Sequence, residues 1–195
     1  MSPSRVRSVG LRQFTSLGTV IAVTLTARAS LADHYRVPSG SMEPTVQVGD
    51  HLVVSKLAYG VRWPLSHRWL VTFDGPKRGD IVVLDPPDEP PAAIGATEVL
   101  LKRVVALAGD EVAVRSGHVL LGGHPARDAN ASLAHGGGPD FGPVRVPADQ
   151  VLVLGDNRGN SRDGRTFGFV PVARVLGRAE AVIKRGGAVA LTSLR

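Results

Sequence analysis

Glu98-Val99-Leu100-Leu101-Lys102-Arg103-Val104-Val105-Ala106-Leu107-Ala108-Gly109-Asp110 is the stretch on which the reading of this chain turns. Glu98 to Leu107 is a long apolar run rich in valine and leucine, as in a strand covered on both faces, and Ala108-Gly109-Asp110 closes it as a turn. With period-2 alternation, Leu100, Lys102, Val104 and Ala106 share one face, and Leu101, Arg103, Val105 and Leu107 share the other. A lone lysine on a strand is ordinarily a solvated edge residue. Here apolar neighbours two residues away on either side place Lys102 in a drier setting.

Similar runs lie on both sides. Val48–Val54 and Gly79–Leu84 read as strands, Glu111–Arg115 and His118–Leu121 flank a two-residue hairpin turn at Ser116-Gly117, and Gln150–Leu154 and Arg174–Ile183 supply the last strands. Asp85–Ala96, rich in proline, and Gly122–Pro143, rich in Gly, Ala, His and Asp, read as loops, neither long enough for a core of its own. The 23 glycines and 14 prolines favour short strands and turns over long helices. The expected fold class is mainly β, in a chain of 195 residues that suits one domain with a small insertion.

Two further stretches carry chemistry. The first is Val37-Pro38-Ser39-Gly40-Ser41-Met42-Glu43-Pro44-Thr45. Pro38 biases Val37 to an extended backbone, and Gly40 can take dihedrals closed to other residues, so two serines are held rigidly at a strand end. Taken alone, Ser-Gly-Ser between prolines is an ordinary turn. A serine on a restricted turn and a lysine on a dry strand face can also form a Ser–Lys hydrolase pair, in which a desolvated amine is itself the base. Desolvation lowers an amine from about 10.4 towards the roughly 7–8 that a general base needs at neutral pH. The second is Gly155-Asp156-Asn157-Arg158-Gly159-Asn160-Ser161-Arg162-Asp163-Gly164-Arg165. Alone it reads as a solvated polar loop with local ion pairs, with Asp156 a candidate partner for Arg103 on the face opposite Lys102.

In their order, these stretches resemble the serine, lysine and polar boxes of bacterial type I signal peptidases, serine peptidase family S26. The resemblance runs from about residue 14 to 185. It implies a signal-peptidase/LexA-like β-ribbon domain behind one N-terminal transmembrane helix, needing no metal or cofactor. It implies Ser41 as nucleophile, Lys102 as general base, and an oxyanion hole made by the Ser39 hydroxyl and the backbone N–H of Ser41. Ser161 holds the position that hydrogen-bonds and orients the lysine amine, while Asp156, Asp163, Arg165 and Arg103 match supporting charges. The implied activity is removal of N-terminal signal peptides from exported preproteins after small residues, with the peptide bound extended by strand addition. Three features stand apart: Ala108 where proline is common, Gly159 in place of a common Asp, and an inserted domain reduced to roughly Gly122–Pro143. Trp63, Leu65, Trp69 and Leu70 are either an exposed apolar tip at a membrane interface or core residues.

The N-terminus reads as a targeting segment. Residues 1–12 form a basic leader with Arg5, Arg7 and Arg12, and Gln13 to Ala27 is free of charge. Residues 13–33 are expected to be a single transmembrane anchor, with the leader cytoplasmic and 34–195 an extracytoplasmic peptidase domain in the inner membrane. A cleavable signal ending at Ala27-Arg28-Ala29 is the competing reading, and both readings export the domain. The net charge of +6 is half accounted for by the leader, and few aromatics are available to stack on bases, so no nucleic-acid partner is expected. The absence of cysteine excludes disulfides and thiolate chemistry. The six histidines show no i, i+4 pairing, so no metal site is expected. The expected partners are signal peptides and the lipid membrane, and the chain is expected to be monomeric. The rival functions are a LexA-like self-cleaving repressor, disfavoured by the apolar N-terminal segment, and a catalytically dead peptide-binding β-domain, disfavoured by the intact Ser41, Lys102 and Ser161.

Overall fold

The computed structural model describes residues 32–62, 69–87, 99–183 and 192–193. The strands in chain order are β1 (Ala32–Arg36), β2 (His51–Ser55), β3 (Gly60–Arg62), β4 (Trp69–Thr72), β5 (Ile81–Leu84), β6 (Leu100–Leu107) and β7 (Glu111–Arg115), of which β2, β5, β6 and β7 are rich in valine. They continue as β8 (His118–Leu121), β9 (His124–Pro125), β10 (Phe141–Arg145), β11 (Gln150–Leu154), β12 (Val170–Pro171), β13 (Val175–Ile183) and β14 (Thr192–Ser193). A four-residue helix, α1 (Gly164–Phe167), lies between β11 and β12. The large sheet runs β1-β2-β13-β5-β6-β11-β12, with β14 on β13; a second sheet runs β10-β7-β8-β9, and β3 pairs β4. All the named strands pair antiparallel. The fold is mainly β, as expected.

Central position in the sheet explains the burial of the candidate site. β6 lies between β5 and β11, with Val82 opposite Lys102 and Ile81 opposite Arg103. Every residue of β5 is buried, as a strand covered on both faces requires. One group of buried side chains, including Met42, Val46, Leu52, Ile81 and Val182, lies under the serine turn. A second, including Val82, Val104, Val153 and Val175, fills the middle of the large sheet. The third joins the sheets through Val105, Ala106, Val112, Val114 and Leu152. Burying a side chain of this size contributes roughly 1.5–3 kcal/mol, so these groups hold β6 from both sides.

The structure corrects four expectations. The strict alternation along β6 breaks at its end, where the pairing with β11 shifts between Leu152 and Val153. Val104 therefore packs in the second group while Val105 and Ala106 both reach the third, because a bulge changes which face the following residues meet. Gly122–Pro143 is not wholly loop, since it contains β9 and the start of β10. The last two residues of the expected anchor, Ala32 and Asp33, belong to β1 and pair with Ser55 and Val54. Gly40 is absent from the backbone positions with positive φ; its small size matters because a Cβ there would crowd the Glu43 carboxylate at 3.0–3.3 Å.

The expected leader and the anchor up to residue 31 lie outside the described residues, as do Trp63 and Leu65. Among the described residues, no helix is long and apolar enough to cross a membrane. Leu70, Val71 and Phe73 on and beside β4 are exposed. The hairpin turn at Ser116-Gly117 forms as expected, with positive φ at both residues.

Candidate active site

The serine turn and β6 meet at Ser41 and Lys102, 61 residues apart in sequence. Met42, next to Ser41 and 1% exposed, anchors the turn in the core. The Val46 N–H donates to the Met42 carbonyl, and the Glu43 N–H donates to the Gly40 carbonyl. Lys102 Nζ lies 2.8 Å from Ser41 Oγ and donates to the Leu101 carbonyl at 2.9 Å. Burial pushes the Lys102 amine down to about 8, against the opposing pull of the Asp163 and Asp156 carboxylates. An amine poised there is partly neutral near physiological pH and can accept a proton from the neighbouring hydroxyl.

Behind the pair, the polar stretch after β11 is fixed by three buried arginines. Arg103 donates to Asp156 through Nε at 2.8 Å and Nη2 at 2.7 Å, and through Nη1 to the Gly79 carbonyl at 2.8 Å. Asp156 also accepts from Thr45 Oγ1 at 2.6 Å, so one carboxylate ties β6 to the end of the serine turn. Asp163 accepts from Arg165 Nε and Nη2, each at 2.9 Å, and from the Gly155 N–H at 2.9 Å. Asp163 also caps α1 by accepting from the Arg165 N–H at 3.2 Å, which satisfies a backbone donor of the first turn. Arg158, 1% exposed, donates to the Gly155 carbonyl at 2.9 Å and pairs with Asp128 at 2.7 Å.

Residues 11–184 match the family described as signal peptidase, peptidase S26. The chain belongs to the signal peptidase family. It is 40% identical over 161 residues to a probable signal peptidase I-2 of Synechocystis sp., covering 83% of this chain and 67% of that protein. It is 36% identical over 170 residues to a signal peptidase I of Leptolyngbya laminosa, covering 84% and 74%. A signal peptidase I of Pseudomonas fluorescens is 31% identical over 201 residues, covering 84% and 68%.

Within this signal peptidase-family chain, the sequence-predicted residues do not all converge. Ser41, Lys102, Asp156 and Asp163 are buried together, with Arg103 and Arg165 paired to the two carboxylates. Ser39 lies on the same turn with its side chain exposed. Ser161 corrects one expectation, because its Oγ is buried without a hydrogen-bond partner and does not hold the lysine amine. Its hydroxyl instead faces Gly155, where any Cβ would overlap Ser161 Oγ and come within 2.5 Å of the Ser41 carbonyl. Gly155 thus lets the polar stretch press against the serine turn.

Asn157 and Arg158 have structural roles that the sequence does not show. Asn157 is 1% exposed; its N–H donates to the Ser41 carbonyl and its Nδ2 to the Gly40 carbonyl, both at 3.1 Å. The signal in the sequence was their place within a polar stretch already singled out. Their burial depends on Gly117, Asp128 and Ser132, which no local pattern connects to them.

Proposed function

We propose that this chain is a membrane-anchored serine endopeptidase that removes signal peptides after small residues, with Ser41 as nucleophile and Lys102 as general base. The observation that carries the reading is the buried 2.8 Å approach of Lys102 Nζ to Ser41 Oγ, with the amine pushed down to about 8 by burial. In its neutral form the amine accepts the hydroxyl proton as Oγ attacks the carbonyl carbon after the last residue of the signal peptide. The resulting oxyanion is bound by the Ser39 hydroxyl and the Ser41 backbone N–H, donors of a kind that contribute about 3 kcal/mol each to the transition state. The C–N bond then breaks, Lys102 returns its proton to the leaving amine, and a water that Lys102 deprotonates hydrolyses the acyl-enzyme.

In this reading the substrate is an exported preprotein bound as an added strand, with small pockets for Ala-like residues at the first and third positions before the cut. A single span ending before β1, over residues 13–31, holds the chain in the inner membrane, with the leader cytoplasmic and 32–195 extracytoplasmic, so that Ser41 lies close to the outer membrane surface. The working unit is a monomer.

The test is cleavage of a purified preprotein by the full-length chain. Ser41→Ala and Lys102→Met each abolish cleavage while far-UV circular dichroism stays unchanged, because members of one catalytic unit fail together. Ser39→Ala lowers kcat by on the order of 10²–10³. Undiminished cleavage by a folded Lys102→Met protein overturns the mechanism.

A further inference from the structure

We infer that His135 is a positioning residue for the nucleophile, acting through the side-chain amide of Asn157 on the Gly40 carbonyl, next to Ser41. The inference rests on the reading of Ser41 as nucleophile.

The serine turn lies between β1 and β2 outside any strand or helix, so carbonyls such as those of Gly40 and Ser41 have no ladder partner and take donors from elsewhere in the chain. Asn157 supplies that hold with two donors, its N–H to the Ser41 carbonyl and its Nδ2 to the Gly40 carbonyl. A carbonyl only accepts, so the Asn157 amide is oriented with Nδ2 towards the turn and Oδ1 away from it. His135 Nδ1 lies 3.1 Å from that Oδ1. An amide oxygen also only accepts, so His135 carries its proton on Nδ1. A bare acceptor at this position of the ring would push the amide to flip and turn Oδ1 against the Gly40 carbonyl. His135 therefore selects the one amide orientation that grips the turn.

The placement of His135 is built into the chain. Ser132 bridges Asn157, its N–H donating to the Asp156 carbonyl at 2.7 Å and its carbonyl accepting from the Arg158 N–H at 3.0 Å. Three residues later the backbone of His135 runs directly against Gly159, where any Cβ would overlap the His135 carbonyl. This gives Gly159 a reason: with Asp at this position the His135 segment would be forced off the polar stretch. The segment between the lysine and polar stretches thus packs its backbone on Gly159 and brings an imidazole to Asn157.

His135 is exposed, so replacing it does not open the core. Leucine is the informative substitution, because it keeps water away from Asn157 Oδ1 while removing the donor. In full-length protein acting on a preprotein, His135→Leu lowers kcat by about threefold to tenfold, the size of one hydrogen bond, with KM little changed and Tm lowered by a few degrees at most. His135→Asn, whose Nδ2 sits where Nδ1 does, restores the rate. In an Asn157→Ala background His135→Leu has no further effect, since the two act through one contact. His124→Leu, an exposed histidine on β9, is the control that leaves the rate unchanged. Wild-type kcat in His135→Leu, failure of His135→Asn to restore, or additive losses overturns the inference, provided Ser41→Ala is inactive in the same assay. An active Ser41→Ala overturns the underlying reading instead, so the two failures are distinct.

Discussion

Lys102 and Arg103 are consecutive cations on β6, 2% and 6% exposed, and the sheet treats them in opposite ways. Arg103 meets the Asp156 carboxylate through two hydrogen bonds. Lys102 meets a hydroxyl and a carbonyl, and burial pulls its amine down to about 8. A buried cation with a bidentate carboxylate is a fixed post, and its partner is unsafe without it. A buried cation hydrogen-bonded only to neutral oxygens is held near the point of losing its proton, which is the state a general base requires. One strand therefore carries a fixed ion pair on one face and a desolvated amine on the other, and the carboxylate makes the difference.

The sharpest way to break the comparison is to remove the post. Arg103→Met leaves Asp156 buried, charged and bonded only to Thr45, which costs about 3–5 kcal/mol of stability. Urea unfolding of the purified variant measures it. A loss below about 1 kcal/mol would mean that Asp156 escapes to solvent, and the scaffold reading of that face would fail.

Removing the desolvated amine has the opposite sign. At pH 7 the folded protein carries a protonated amine that its surroundings disfavour, so Lys102→Met gains up to about 3 kcal/mol of stability as it loses activity. The pH dependence follows from the depressed folded value. Between about 8, folded, and about 10.4, unfolded, the unfolded chain binds more protons, so wild-type stability rises with pH through that window. The penalty is complete below about 8 and gone above about 10.4, so the gap between wild type and Lys102→Met closes as pH rises through it. Urea midpoints at pH 7 and above pH 10 test this, and a gap that stays constant would show that the amine is not desolvated.

The same contrast explains what could be read before the fold was known. The lysine was legible because its strand is apolar on both sides, and β-branched runs specify strands through their own periodicity. The Arg103–Asp156 pair was legible because opposite charges stood in two stretches already singled out. Gly159 and His135 were not, because a close approach of backbones 24 residues apart leaves no local trace in composition. The bulge that shifts β6 against β11 was hidden for a related reason: it is a property of two strands, and neither run shows it alone. Ser161 misled because resemblance carries a residue's position, while the rotamer that would aim its hydroxyl at the amine depends on the packing around Gly155.

The smallest expected effect separates the two faces most cleanly. In the wild type, kcat/KM rises with pH as Lys102 loses its proton and levels off above about 8. Burial lowers that value, and Asp163 is the largest of the charges holding it up, ahead of Asp156. Asp163→Asn keeps an oxygen to accept from the Gly155 N–H but removes the negative charge, and it leaves Arg165 unneutralised beside the site. Both changes disfavour a protonated Lys102, so the inflection of kcat/KM moves to lower pH even though the plateau rate falls if the turn loosens. Position and height of the profile thus report separately on charge and on scaffold. An inflection that stays in place would mean that solvent screens Asp163 from the amine, and one that moves to higher pH would mean that the buried pocket has opened to water.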